Sequence, residues 1–158
     1  MAENTGSPYP STSVFRDPYK QKEYRDQSQS QYKDDKEASH IVSLRIAMAA
    51  LNENRPPGRP PAEERNDVKD LLNNPSNLRM VKRETNREDH ERLDMAIIAK
   101  SESGDPLTVA EEQRAKLQVS VIQENKDILE LVTYGCFKTF YQKLRTQSGR
   151  VVWDARHD

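Results

Sequence analysis

The segment DPLTVAE, from Asp105 to Glu111, restricts the fold of this chain more than any other stretch. Pro106 disfavours helical geometry at the residue before it, so a helix ends before Asp105. Thr108 and Glu111 have the spacing of a capping box, in which two side chains bond backbone N–H groups at the start of a helix. The sequence therefore predicts two long helices that meet at this loop and form a hairpin.

Apolar residues are scarce for a chain of this length. Of its 158 residues, 34% are hydrophobic and 32% are charged, and there are only three phenylalanines and one tryptophan. Ordering each residue costs roughly 1–2 kcal/mol of backbone entropy, which the burial of apolar surface has to offset. Either part of the chain is therefore disordered alone, or a partner covers part of its surface.

Hydrophobic periodicity predicts an all-α fold, a bundle of about four helices. The first predicted helix covers residues 36–54, and the second begins at Pro61 and ends before Pro75. A proline-rich stretch at 55–61 separates them and predicts a rigid linker. The apolar face of the first predicted helix is formed by Ile41, Leu44, Met48 and Leu51, and widened by Val42, Ile46 and Ala49.

The remaining helices are more polar. The third is predicted over residues 77–100, although residues 82–92 contain no apolar side chain. A helix that is polar all round is either solvated or enclosed by partners in an assembly. The fourth is predicted from Thr108 to about Tyr134, with Gly135 permitting a bend before a last helical segment. Residues 148–153 predict a short extended segment at the C-terminal end.

Residues 1–35 differ in composition from the rest of the chain. They are rich in Pro, Gln and Ser and show no helical or strand period, so they predict a disordered or extended N-terminal arm outside a helical bundle domain at 36–158. Two readings stay open, a solvated tail and an arm that docks along a neighbouring subunit. Docking would use the spaced aromatic residues Tyr9, Phe15, Tyr19, Tyr24 and Tyr32.

Catalytic and metal-binding patterns are absent from the sequence. The three histidines and the single cysteine, Cys136, do not form a metal set, and there is neither a phosphate-binding glycine loop nor a nucleophile elbow. We therefore expect a protein that is not an enzyme and needs no cofactor. No run is apolar enough for a membrane span or a signal peptide, so we also expect a cytosolic location.

The C-terminal half, about residues 93–153, resembles the coat proteins of rod-shaped plant RNA viruses of the tobacco mosaic type. In that family an Ile-Ile pair leads into a polar loop ending in Asn-Pro-x-Thr, and a helix, a glycine, a tyrosine and a Ser-Gly-x-x-Trp segment follow. The matching positions here are Ile97–Ile98, Asp105–Pro106, Thr108, Glu130–Leu131–Val132, Gly135, Tyr141, Ser148–Gly149 and, one residue further on than in the family pattern, Trp153.

This resemblance implies a capsid subunit that assembles into an open helical homo-oligomer around single-stranded RNA, located in the virion and the host cytoplasm. Its helices would form a radial bundle, with the hairpin loop at the inner channel and RNA bound without sequence specificity. The near-zero net charge of −1 suits such close packing of identical copies. RNA contacts are expected from some of six basic residues, Arg83, Arg87, Arg92, Lys100, Arg114 and Lys116.

The family also carries carboxylates that repel each other between subunits and promote uncoating. The residues that lie near those positions in this sequence are Glu102, Glu111 and Glu112. Two other functions stay open: a helical adaptor that recruits partners through its tyrosine-rich tail and proline linker, and a DNA-wrapping coat of a filamentous virus.

Overall fold

The computed structural model describes residues 36–54 and 61–153, so the predicted arm at 1–35 and all of the predicted linker at 55–61 except Pro61 lie outside the described residues. The described chain is mostly helical with one small sheet. Its two strands, β1 (Lys36–His40) and β2 (Leu78–Lys82), are antiparallel, with Lys36 opposite Lys82. The five α-helices are α1 (Leu44–Asn54), α2 (Pro61–Leu72), α3 (Glu91–Ser103), α4 (Val109–Glu124) and α5 (Leu131–Gln142).

The prediction of a first helix over residues 36–54 was wrong at its N-terminal end. Residues 36–40 form β1, and α1 begins only at Leu44. Asn77 supplies the physical reason, because its buried side chain accepts a hydrogen bond from the Val42 amide and donates one to the Val42 carbonyl. This bonding occupies backbone groups that a continuous helix would need for its own ladder.

The predicted third helix, over residues 77–100, is also divided. Residues 78–82 pair with β1, a π-helical turn covers Thr85–His90, and the α-helix proper begins at Glu91. The polar run at 82–92 is therefore helical from Arg83 onward, with a π-helical segment that leads into α3, and only Lys82 belongs to β2. Tertiary pairing with β1 outweighs the predicted helix at residues 78–82 only.

The fourth predicted helix divides as well. The helix α4 ends at Glu124, a 3-10 turn covers Lys126–Ile128, and α5 runs through Gly135 as one helix. Asp67 of α2 stabilises the start of α5, since its Oδ2 accepts hydrogen bonds from the Glu130 amide (3.0 Å) and the Thr133 hydroxyl (2.8 Å). The Asp67 carboxylate thus accepts from donors at the start of α5, although Asp67 precedes Glu130 by 63 residues in the sequence.

The core lies where α1 packs on α5, and it continues onto α2 and α4. Aromatic side chains fill its C-terminal part, with Trp153 packed edge-on against Tyr134 at a centroid distance of 5.4 Å. The predicted extended segment at 148–153 returns to this core, because the Val152 amide donates to the Leu144 carbonyl (3.0 Å). None of the helices in the described residues is long and apolar enough to cross a membrane.

Candidate nucleic-acid interface

The loop between α3 and α4 has the geometry that the sequence predicted. The α3 helix ends at Gly104, which adopts a left-handed conformation (φ 80°), and its amide donates to the Lys100 carbonyl. Thr108 and Glu111 form both hydrogen bonds of a capping box at the start of α4. Because Gly104 is at positive φ, a side chain at this position would strain the end of α3.

Glu111 has a second partner across the hairpin, since Lys100 of α3 donates a short hydrogen bond to its carboxylate. Burial alone would raise the pKa of Glu111, but the hydrogen bonds from Lys100 and Thr108 outweigh it and lower the pKa. The carboxylate therefore ties the two helices together next to their loop.

Deeper in the hairpin, Arg114 of α4 and Asp94 of α3 form a buried ion pair. Arg114 donates from Nε (2.6 Å) and Nη2 (3.0 Å) to the two oxygens of Asp94, and the two side chains are only 7% and 3% exposed. Gln118 extends this pair into a network, donating to Asp94 (2.9 Å) and to the Ile41 carbonyl (3.0 Å). The Tyr141 hydroxyl then donates to Gln118 (2.7 Å), and burial raises the pKa of Tyr141 well above its ordinary value.

Three of the other basic residues predicted to bind RNA lie at the surface or near it, and each is paired with a carboxylate. Arg92 is paired with Asp89 (3.0 Å), Lys116 with Glu112 (3.1 Å) and Arg83 with Glu37 (3.9 Å). Arg87 lies in the π-helical turn, and its side chain is outside the described residues. The hairpin brings Arg92, Lys100, Arg114 and Lys116 onto two neighbouring helices, and Arg83 lies apart, after β2.

Of the predicted intersubunit carboxylates, Glu111 and Glu112 are therefore bonded to lysines of their own chain. Glu102 shares a hydrogen bond with Glu53 of α1. Burial raises the pKa of Glu53, Lys143 lowers it, and the bond to Glu102 raises it further. The role of these carboxylates between subunits, like that of the bases toward RNA, stays a prediction.

The sequence reasoning missed a polar cavity of about 160 Å³ between the start of α1 and the start of α3. Its lining includes His40, Ser43, Arg45 and His90, and Arg114 closes it from α4. These residues come from three separate segments, so no local pattern could have joined them. Because residues 36–54 were predicted to form one helix, the turn that places Ser43 at the start of α1 was not predicted.

Burial sets the charge of the two histidines. Burial lowers the pKa of His40 to about 4. It also lowers the pKa of His90, and the charge of Arg114 adds to this effect. Both rings are therefore neutral at pH 7. In the described part of the chain, no group of three His, Cys, Asp or Glu side chains could hold a metal ion.

The pKa of His40 predicts that acid destabilises the fold. An unfolded histidine titrates near pH 6.5, so between about pH 6.5 and pH 4 the unfolded state binds more protons than the folded state. The free energy of unfolding should fall by about 2 kcal/mol between pH 7 and pH 5 through this residue alone. We expect His40→Gln to flatten that slope in urea unfolding measured at both pH values. An unchanged slope would mean that His40 titrates normally in the folded state.

No protein-family model matches this chain, and no curated protein or solved structure was found to be similar to it.

Proposed function

We propose that this chain is the subunit of a helical capsid, a coat protein that assembles into an open rod or filament and packages single-stranded RNA without sequence specificity. The observation that carries the proposal is the exposure of large apolar side chains on the neighbouring helices α1 and α3, namely Leu44, Met48 and Met95. Their exposed fractions are 58%, 39% and 52%.

Two contacts give the relative direction of α1 and α3. Arg45 donates to Glu91 at 3.1 Å near the start of both helices. Glu53 and Glu102 share a hydrogen bond near the end of both. The helices therefore run side by side in the same direction, with Met48 and Met95 between these two contacts.

The position of these side chains supports a protein partner. Leu44 and Met48 belong to the predicted apolar face of the first helix, yet both are exposed, whereas Ile46 and Leu51 of the same predicted face are buried. Large apolar side chains exposed on neighbouring helices are typical of protein interfaces. The partner is a second copy of the chain in this proposal, because the net charge of −1 leaves little repulsion between copies. A contact between different surfaces of two copies repeats without closing and produces a filament.

RNA packaging is supported by the resemblance of residues 93–153 and by the basic residues on the α3–α4 hairpin. The intrachain pairs of Arg92 and Lys116 are exposed at the basic side chain, and exposed ion pairs contribute little stability, so phosphates can compete for these two bases at low cost. A backbone contact of this kind does not depend on sequence.

Electron microscopy with absorbance at 260 and 280 nm on the same sample tests the proposal. We expect filaments that carry a nucleic-acid signal, and ribonuclease treatment after disassembly should remove that signal. The double variant Met48→Glu/Met95→Glu should remain folded but fail to form filaments, because it places buried charge at every copy of the interface.

The matched control is Met48→Leu/Met95→Leu, which keeps the apolar surface and should assemble like the unmodified protein. Circular dichroism of both variants checks that they are folded. A small closed oligomer with a protein-only spectrum would contradict the capsid proposal and favour the adaptor. A nucleic-acid signal that resists ribonuclease but not deoxyribonuclease would favour the DNA coat.

A further inference from the structure

The polar cavity between α1 and α3 has hydrogen-bond donors that the fold leaves unused. Arg114 donates hydrogen bonds from Nε and Nη2 to Asp94, and its Nη1 has no hydrogen-bond partner among the residues that the structure describes. Arg45 likewise uses only Nη2, toward Glu91. Two guanidinium groups therefore line one cavity of about 160 Å³, and each has N–H groups that make no hydrogen bond to the described residues.

The N-terminus of α1 borders the same cavity, since Ser43 and Arg45 both line it. The Ser43 hydroxyl accepts a hydrogen bond from the Ile46 amide (3.2 Å). The amides of Leu44 and Arg45, the first two residues of the helix, have no acceptor within it. The positive end of the helix dipole thus adds to the two arginines, and such an arrangement favours an anion.

The acidic groups of the cavity do not oppose an anion strongly. Asp94 accepts hydrogen bonds from Arg114 and Gln118, so both of its oxygens are engaged. Glu91 is paired with Arg45, and its side chain is 52% exposed. Because water screens an exposed carboxylate, Glu91 reduces the positive potential of the cavity only in part.

His90 adds a proton-dependent contact. The Ser39 hydroxyl donates its only proton to Asn86 (2.6 Å), so the 3.3 Å contact with His90 requires a proton on Nδ1 of the ring. The other nitrogen, Nε2, then carries a lone pair while the ring is neutral. A phosphodiester has no proton to give to that lone pair, but a protonated Nε2 would donate to it.

We propose that this cavity binds one phosphate group of single-stranded RNA, held by Arg45, Arg114 and the N-terminus of α1, and that His90 takes up a proton from solvent when the phosphate enters. The assignment of this phosphate to single-stranded RNA rests on the proposed function. The cavity chemistry by itself would also accept a small free phosphate, and the experiment separates the two.

The surroundings of His90 account for the direction of the proton uptake. Arg114 disfavours the charged ring in the empty cavity, and a phosphate that neutralises Arg114 removes this effect and attracts the ring proton. His40, the other histidine of the cavity, titrates near pH 4 and does not contribute near neutral pH. The charged and titratable groups around His90 are Asp89 on its own turn, Glu91 and Asp94 on α3, Arg114 on α4, and His40 and Arg45 before and within α1.

Fluorescence anisotropy of a labelled short oligouridylate with the full chain at low salt tests the proposal. Arg45→Gln should weaken binding about tenfold, since it removes a charge-assisted contact. Glu91→Gln should strengthen binding, because it frees Arg45 and removes a negative charge. The matched control, Arg150→Gln, makes the same charge change at an exposed residue outside the cavity and should have little effect.

The pH dependence of the oligouridylate affinity distinguishes proton uptake by His90 from a purely structural role of this residue. Affinity should rise by up to about tenfold per pH unit between about pH 7.5 and 6, and His90→Gln should remove this rise. Equal weakening by Arg45→Gln and Arg150→Gln would overturn the cavity assignment, while RNA-filled filaments would leave the capsid proposal standing. Binding of inorganic phosphate without any binding of oligouridylate would overturn RNA as the source.

Discussion

Replacing Arg114 with methionine should lower the free energy of unfolding by about 3–5 kcal/mol, because the substitution leaves Asp94 as a buried carboxylate without its cation. Asp94 is 2% exposed, and its remaining partner would be the neutral amide of Gln118 (2.9 Å). Urea unfolding measures the change as a lower midpoint with an unchanged slope. Water in the adjoining polar cavity can solvate Asp94 only in part, because its side chain is almost fully buried.

Lys116→Met is the matched control, since Lys116 lies two residues further along α4 in an exposed pair with Glu112. It should change the free energy of unfolding by no more than about 0.5 kcal/mol. The double variant Asp94→Leu/Arg114→Met should be less destabilised than Arg114→Met alone, because it removes both buried charges. Equal effects of Arg114→Met and Lys116→Met would contradict the stabilising role of this buried pair.

Trp153→Ala should destabilise the fold by about 3–5 kcal/mol, although Trp153 lies at the end of the described chain. Its ring is fully buried, edge-on to Tyr134 (5.4 Å) and tilted against Tyr141 (6.3 Å). Removing the indole leaves a cavity between α5 and the returning C-terminal segment, and the aromatic contacts are lost with it. Far-UV circular dichroism during urea unfolding measures the effect.

Trp153→Phe is the comparison that separates ring volume from the aromatic contact. It keeps a ring at the site and should cost less than the alanine variant. The unmodified chain has a single tryptophan, so its fluorescence reports directly on this corner of the core. A Trp153→Ala variant as stable as the unmodified protein would mean that the C-terminal segment is not part of the cooperative core.

The hairpin was predictable because its signals are local. The Asp-Pro step acts on the adjacent residue, and the capping box joins Thr108 to Glu111 within one helical turn. The start of the second helix at Pro61 was likewise confirmed. By contrast, the cavity was not predictable, since Arg45, His90 and Arg114 come from three segments and only the folded chain brings them together.

The sequence by itself thus determined the mostly helical character of the chain, the loop at residues 104–108 and the shortage of apolar core. Tertiary structure decided where the remaining elements begin and end. Residues 36–40 became a strand because β2 offers a pairing partner about 40 residues away. The helix α5 starts where Asp67 meets the Glu130 amide. Both outcomes depend on hydrogen bonds between distant residues, and a helical period in a local window carries no information about them.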